Sequence, residues 1–385
     1  MAAVRTTIVL GSFLLAACAA TVATSVGGAA AAGDTAALRA AYRRPVAEWP
    51  PATLDTGVAF VELGSLPKPP AATDPKDLAA IELGKLLFFD PRLSGSGQMA
   101  CASCHDPDLA WADGRTTSFG HGRKVLRRNA PTVLNAAYAP HLFWDGRAAS
   151  LGDQALAVFE NADEMHSGGD AVVRTLASSR GYRERFRAAF GDDEPTLERA
   201  LAALAAFERT LVSDGSSAFD RFLAGDDAAL DDAAMRGLHL FRTKARCANC
   251  HHGPLLSDGG FHDLGLSYYG RDLQDLGRHG VTGQPADVGR FRTPSLRNVA
   301  RTAPYMHNGL FDLAGVVNMY SAGMVTLRPK PEQADDPLFP HKSPLLQRLD
   351  LGPAEKRDLL AFLEALSDRR RRVRAPELPA VGDAP

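Results

Sequence analysis

Two five-residue strings limit what this chain can fold into: CASCH, with Cys101, Cys104 and His105, and CANCH, with Cys247, Cys250 and His251. In the pattern Cys-x-x-Cys-His each thiol adds to a vinyl group of a haem, and the adjacent histidine reaches the iron from the proximal side. With 5 Cys and 11 His in 385 residues, one such string is expected by chance roughly 0.002 times, and two far less often. Zinc also uses Cys-x-x-Cys pairs, but it needs no histidine directly after each pair. Moreover, 142 residues separate Cys104 from Cys247. Two covalently bound haem c groups are therefore expected, each wrapped by its own stretch of chain.

The fifth cysteine, Cys18, belongs to an N-terminal segment that reads as an export signal. Residues 1–26 carry one charge, Arg5, followed by the apolar run IVLGSFLLAA. The run ends in LAAC, which resembles a bacterial lipobox with Cys18 as the lipidated residue. The alternative is ordinary cleavage nearby, with Cys18 lost. Export implies the periplasm, with a lipid tether in the first case. Residues 27–75 are rich in Ala, Pro and Thr without a sustained period, and read as a flexible lead-in. A formal net charge of −2 gives nucleic acid no basic face. Beyond the N-terminus no apolar run is long enough to span a bilayer.

The two halves repeat. PTVLNAAYAPHLFWDG (131–146) aligns with PSLRNVARTAPYMHNG (294–309) at a constant offset of 163, pairing Pro131, Asn135, Ala137 and Gly146 with Pro294, Asn298, Ala300 and Gly309. GKLLFFDPRLSGSGQMACASCH parallels GLHLFRTKARCANCH upstream. PTLERALAALAAFERTLVS (195–213) places Leu197, Ala200, Leu201, Leu204, Phe207 and Leu211 on one helical face. Helical patterns also cover 76–88, 150–159, 172–190, 228–241 and 354–366, and no strand series stands out. The expected fold is mainly α, with two tandem cytochrome c-like haem domains at 76–213 and 214–370 and a tail at 371–385.

These strings, together with GHGRKVLRRNAPTVLNAAYAPHLFWDGRA, DQALAVFENADEMHSG and TPSLRNVARTAPYMHNG, closely resemble the bacterial dihaem cytochrome c peroxidase family, which includes the MauG-type enzymes. The likeness spans about residues 75–370. It implies that the N-terminal haem, with His105 proximal, is the peroxide site. It further implies that His121 caps that iron in the resting state, that Glu164 is the distal acid and Gln154 a distal amide, and that Trp144 lies between the haems. These residue types suit the chemistry. Heterolysis of peroxide needs a group that takes a proton from the near oxygen and returns it to the leaving one, and a carboxyl group in a partly dry pocket is tuned toward that task. The same resemblance implies a calcium ion held by the Asn129 side chain and the carbonyls of Thr302 and Pro304, an oxygen-only ligand set.

In the second half His251 is proximal, and His252 is expected at the surface. The distal candidates lie in VVNMYSAGM: Tyr320, with Met324 and Met319 as alternatives. Neighbours on a helix point about 100° apart, so Met319 and Tyr320 cannot both face one iron. A methionine implies a peroxidase fed by a cytochrome c; a tyrosine implies the MauG type, which oxidises side chains of a partner protein. His307 is expected near a propionate or the domain interface. Three functions follow: a periplasmic peroxidase using a small cytochrome c or similar donor, a MauG-like enzyme with a protein substrate, and a non-catalytic electron carrier. Glu164 and Gln154 argue against the third. Family members often pair, so a homodimer is a further expectation.

Overall fold

In the computed structural model the described residues are 35–370, 372–380 and 382. The export signal and Cys18 lie outside them. The structure is helical. A short helix α1 (35–42) is followed by α2 (Pro75–Phe89), α3 (Leu151–Glu160), α4 (Gly168–Ala177), α5 (Arg180–Phe190), α6 (Leu197–Glu208), α7 (Ala218–Leu223), α8 (Asp232–Arg242), α9 (His279–Thr282), α10 (Leu313–Ser321) and α11 (Pro353–Ala365). Side chains start most of the long ones: Asp74, Ser150, Ser179, Thr196, Asp231 and Asp312 each accept a first-turn backbone N–H. The segment 172–190, which reads as one helix, is two, because Ser179 caps a new start at Arg180. The helix expected over 195–213 stops at Glu208, and the next five residues turn to meet the other half. One small sheet is present among the described residues: β1 (Phe261–Asp263) antiparallel to β2 (Arg290–Arg292), with Phe261 opposite Arg292.

Each half has its own core. In the first, α2 packs on α5 and α6, and Leu83, Leu87, Phe88, Phe186, Leu204 and Phe207 fill the space between them. Gly84 makes the α2–α6 approach possible, since a Cβ there would stand 1.9 Å from the Ala203 carbonyl oxygen. In the second, α8 lies against α11, around Leu238, Phe241 and Phe362.

The lead-in is not flexible where it is described. Tyr42, Trp49 and Leu63 belong to the second core. Buried Arg242 pairs with Glu62, donates to the Pro50 carbonyl at 2.6 Å and lies over the Tyr42 and Trp49 rings. Composition hid this because the strap is anchored by single residues spaced along an irregular path. Its passage also corrects the expectation for His252, which is buried with its ring edge against Phe60 at 5.7 Å. At the other end the tail crosses back. Val373 and Leu378 pack on the first core, and Arg92 donates to the Pro379 carbonyl at 2.8 Å.

The internal repeat is an approximate two-fold in three dimensions. Asn135 and Asn298 both adopt left-handed backbone, φ +64° and +62°, before a 3-10 turn. Both amides donate to the same hydroxyl, Ser213 Oγ, at 3.0 and 3.1 Å. The bridges Leu142–Ala148 and Tyr305–Phe311 are equivalent, and so are Gly146 and Gly309 at φ +69° and +62°. The halves also exchange backbone hydrogen bonds: Asn129 N–H donates to the His307 carbonyl and Arg292 N–H to the Trp144 carbonyl, each at 2.8 Å. Asn129 and Arg292 are themselves related by the 163-residue offset.

Gly84→Ala should force α2 and α6 apart and lower stability by about 1–3 kcal/mol, the usual cost of overpacking. Denaturant unfolding followed by helical circular dichroism measures it, and an unchanged midpoint would mean that the helices shift freely.

Candidate active site

Each attachment motif begins with a 3-10 turn, Cys101–Ser103 and Cys247–Asn249, that brings its two cysteines onto one side. Both motifs open onto a single cavity of about 1150 Å³. That exceeds the roughly 300–1,000 Å³ of an ordinary small-molecule pocket.

The residues fit two haem c groups. His105 Nδ1 lies 3.1 Å from the Trp111 carbonyl, and His251 Nδ1 3.0 Å from the Leu256 carbonyl. A carbonyl only accepts, so Nδ1 carries the hydrogen in both rings and Nε2 is left as the ligand atom. Burial lowers the pKa of both histidines, which keeps them neutral as iron ligands must be. Burial raises all the resolved thiols, with Cys247 pushed up to about 12. A metal-binding cysteine needs the thiolate, which burial disfavours. Cys250, Asp258 and His262 do converge, their ligand atoms lying within 4.8 Å of one another. His262 Nε2 and Asp258 Oδ2 are, however, already paired at 2.7 Å. Burial opposes charge on His262, but bonds to Asp258 and Cys250 outweigh it and hold the pKa at about 10.

Around the first motif, Glu164 and Gln154 both line the cavity. Gln154 sits in the first turns of α3. Glu164 follows the helix in a turn stapled by Asn161, whose Oδ1 accepts from Asp163 N–H and whose carbonyl accepts from Glu164 N–H. Burial raises the Glu164 pKa above the usual carboxylate value, while Arg147 pulls the other way. His121 is placed differently. It does not line the cavity; its ring lies 4.5 Å from that of His166, in a short hairpin over 118–126. Lys124–Asp163 at 2.6 Å and His121 N–H to the Asp163 carbonyl at 2.9 Å tie this hairpin to the Glu164 turn.

Trp144 stands at the junction of the halves. Its indole N–H donates to the Asn129 carbonyl at 2.9 Å, and its ring meets His307 edge-on at 6.5 Å. His307 is buried and stacked on Phe291 at 3.7 Å, at the interface where it was expected. Burial lowers its pKa to about 4, so it is uncharged at neutral pH. Thr302, Pro304 and Asn129 share the cavity wall. The Asn129 amide nitrogen donates to the Arg115 carbonyl at 2.8 Å, which orients the side chain and makes Oδ1 the atom a cation would take. On α10 the register turns Tyr320 into the cavity with Cys247 and Cys250, while Met319 and Met324 are absent from its wall.

Two cavity residues escaped the sequence reading. Glu208, at the end of α6, is buried beside Cys101, and desolvation raises its pKa to about 8. An acid inside the apolar run ALAALAAFE was the available signal. Arg292, on β2, also lines the cavity, and only the internal repeat could have marked it.

Residues 78–228 match the family described as di-haem cytochrome c peroxidase. The chain is 40% identical over 339 residues to cytochrome-c peroxidase IdrP1 of Pseudomonas sp. (strain SCT), covering 80% of this chain and 86% of that one. It is also 40% identical over 350 residues to the methylamine utilization protein MauG of Methylorubrum extorquens, covering 90% and 89%. Among solved structures it resembles a MauG-like protein associated with microbial copper homeostasis, with a TM-score of 0.67 and 33% identity over 82% of this chain and 96% of that one.

Replacing Cys101 and Cys104 together by alanine should leave one covalent haem instead of two. Pyridine haemochrome absorbance against protein mass reads this, and two covalent haems in the variant would overturn the attachment assignment.

Proposed function

The chain belongs to the di-haem cytochrome c peroxidase family, and we propose that it works in the periplasm, reducing hydrogen peroxide to water with electrons from a small cytochrome c or similar redox protein. The observation that supports this most is Glu164, a buried carboxyl group on the cavity wall near Cys104. When bound, one haem supplies an iron site for peroxide and the other an entry point for electrons.

The chain's own residues do the rest. His105 and His251 offer Nε2 because their Nδ1 atoms are committed to carbonyls. Glu164 takes a proton from the near oxygen of peroxide and returns it to the far one, and Gln154 orients peroxide by hydrogen bonding without adding charge. Each turnover takes up two electrons and two protons and yields two waters. Trp144 offers its π system between the halves. His121 serves as a resting cap only if the 118–126 hairpin swings inward from its place beside His166. Calcium, held by Asn129 Oδ1 and the Thr302 and Pro304 carbonyls, would brace the same junction.

One observation favours a second reading. The residue turned toward the second attachment motif is Tyr320, with neither methionine on the cavity wall. A phenolate ligand would favour oxidised iron, which suits a MauG-like enzyme drawing electrons from side chains of a partner protein.

Glu164→Gln should keep both haems and lose about 10²–10⁴-fold in peroxide turnover. Since burial raises the Glu164 pKa, wild-type turnover should fall as pH drops through that raised value, where the base becomes protonated. The variant should lack this limb, and full turnover in the variant would remove Glu164 from the reaction. Tyr320→Met should raise the potential of the second haem and quicken oxidation of reduced cytochrome c. An unchanged ferric spectrum would take Tyr320 away from the iron and with it the second reading.

A further inference from the structure

Arg292 is a charged feature of the junction that the proposed reaction leaves unused. It breaks the approximate two-fold: its equivalent in the first half is Asn129, an uncharged amide in the same backbone role. Its guanidinium has weak company. Nε donates to the Phe143 carbonyl and NH1 to the Thr293 carbonyl, both at a long 3.3 Å. No ion pair to it is found among the described residues, and burial alone, with no carboxylate to oppose it, lowers its pKa to about 10. The contrast with nearby Arg128 is sharp, since that residue holds Asp145 at 2.6 Å and Asp275 at 2.7 Å. A desolvated cation without a counter-ion is costly, and buried charges are normally paired.

The cavity wall on which Arg292 lies gives a place for that anion. The chain that follows it is tied to the second motif. The Thr293 carbonyl accepts from Ser257 Oγ at 2.7 Å, and Ser295 Oγ donates to Leu255 at 2.7 Å; these two residues flank Leu256, the anchor of His251. A guanidinium fork matches a carboxylate in a bidentate manner, which an ammonium does not. We propose that Arg292 binds a propionate of the haem attached at Cys247 and Cys250, and that its charge, set between the Phe143 and Thr293 carbonyls, raises the potential of that haem. The inference rests on haem occupancy of the cavity and not on which donor or substrate the enzyme uses.

The test compares the wild-type dihaem protein with Arg292→Met and Arg292→Lys by spectroelectrochemical titration and resonance Raman. Arg292→Met should lower the second haem's potential by about 59 mV, a tenfold loss of preference for the ferrous form, and shift its propionate bending band. Arg292→Lys should shift the band, because the fork is lost, yet recover most of the potential, because the charge is kept. A wild-type potential in the Met variant, a drop confined to the first haem, or equal drops in both variants would overturn the proposal. If the Met variant fails to assemble, an unmoved band in the Lys variant overturns it. Covalent haem, counted separately, keeps failure of this inference distinct from failure of the haem assignment.

Discussion

The site depends on one reciprocal exchange. Asn129 N–H reaches the His307 carbonyl, and its counterpart Arg292 N–H reaches the Trp144 carbonyl. Two neutral hydrogen bonds contribute only about 0.5–1.5 kcal/mol each, so their importance is geometric. They fix the two aromatic residues of equivalent loops in register across the interface, edge to face. They also hold the loops close enough that two haem pockets merge into one cavity. Ser213 repeats the device deeper in the molecule, taking an amide from each half.

Given that frame, the equivalent loops keep a proline, an asparagine, an alanine and a glycine in common and differ between them. The first presents Trp144 and Asn129 where the second presents His307 and Arg292. Burial sets protonation unevenly along one cavity. Glu164 and Glu208, both raised by burial, lie on the first side, and Arg292 lies on the second. At matched positions the duplicated scaffold sets a neutral amide, Asn129, against a cation, Arg292, without any change of fold.

Much of this was legible in the chain. The motifs gave the cofactor, and the 163-residue repeat gave the symmetry. Apolar spacing gave the long helices to within a few residues, because a long amphipathic helix carries its own signal. What was missed depended on distant partners. The break at Ser179 needs a cap that 172–190 does not advertise in its periodicity. The strap over 46–64 is held by Arg242, Asn249 and Arg297, all more than 180 residues away along the chain. Arg292 and Glu208 look like ordinary charged residues until the cavity is seen around them. Tyr320 was separable from Met319 in principle by helical angle, but only the packing of α10 on α11 sets which one faces inward.

The crossing of the two ends changes what a domain means here. The lead-in is built into the second core, and the tail lies on the first. A cut between the halves at about residue 213 would therefore separate neither cleanly, since each would lose a piece carried by the other's far end. The boundary visible in the sequence marks where the repeat was joined. It does not mark where the molecule could come apart, because each core includes a segment from the far end of the chain.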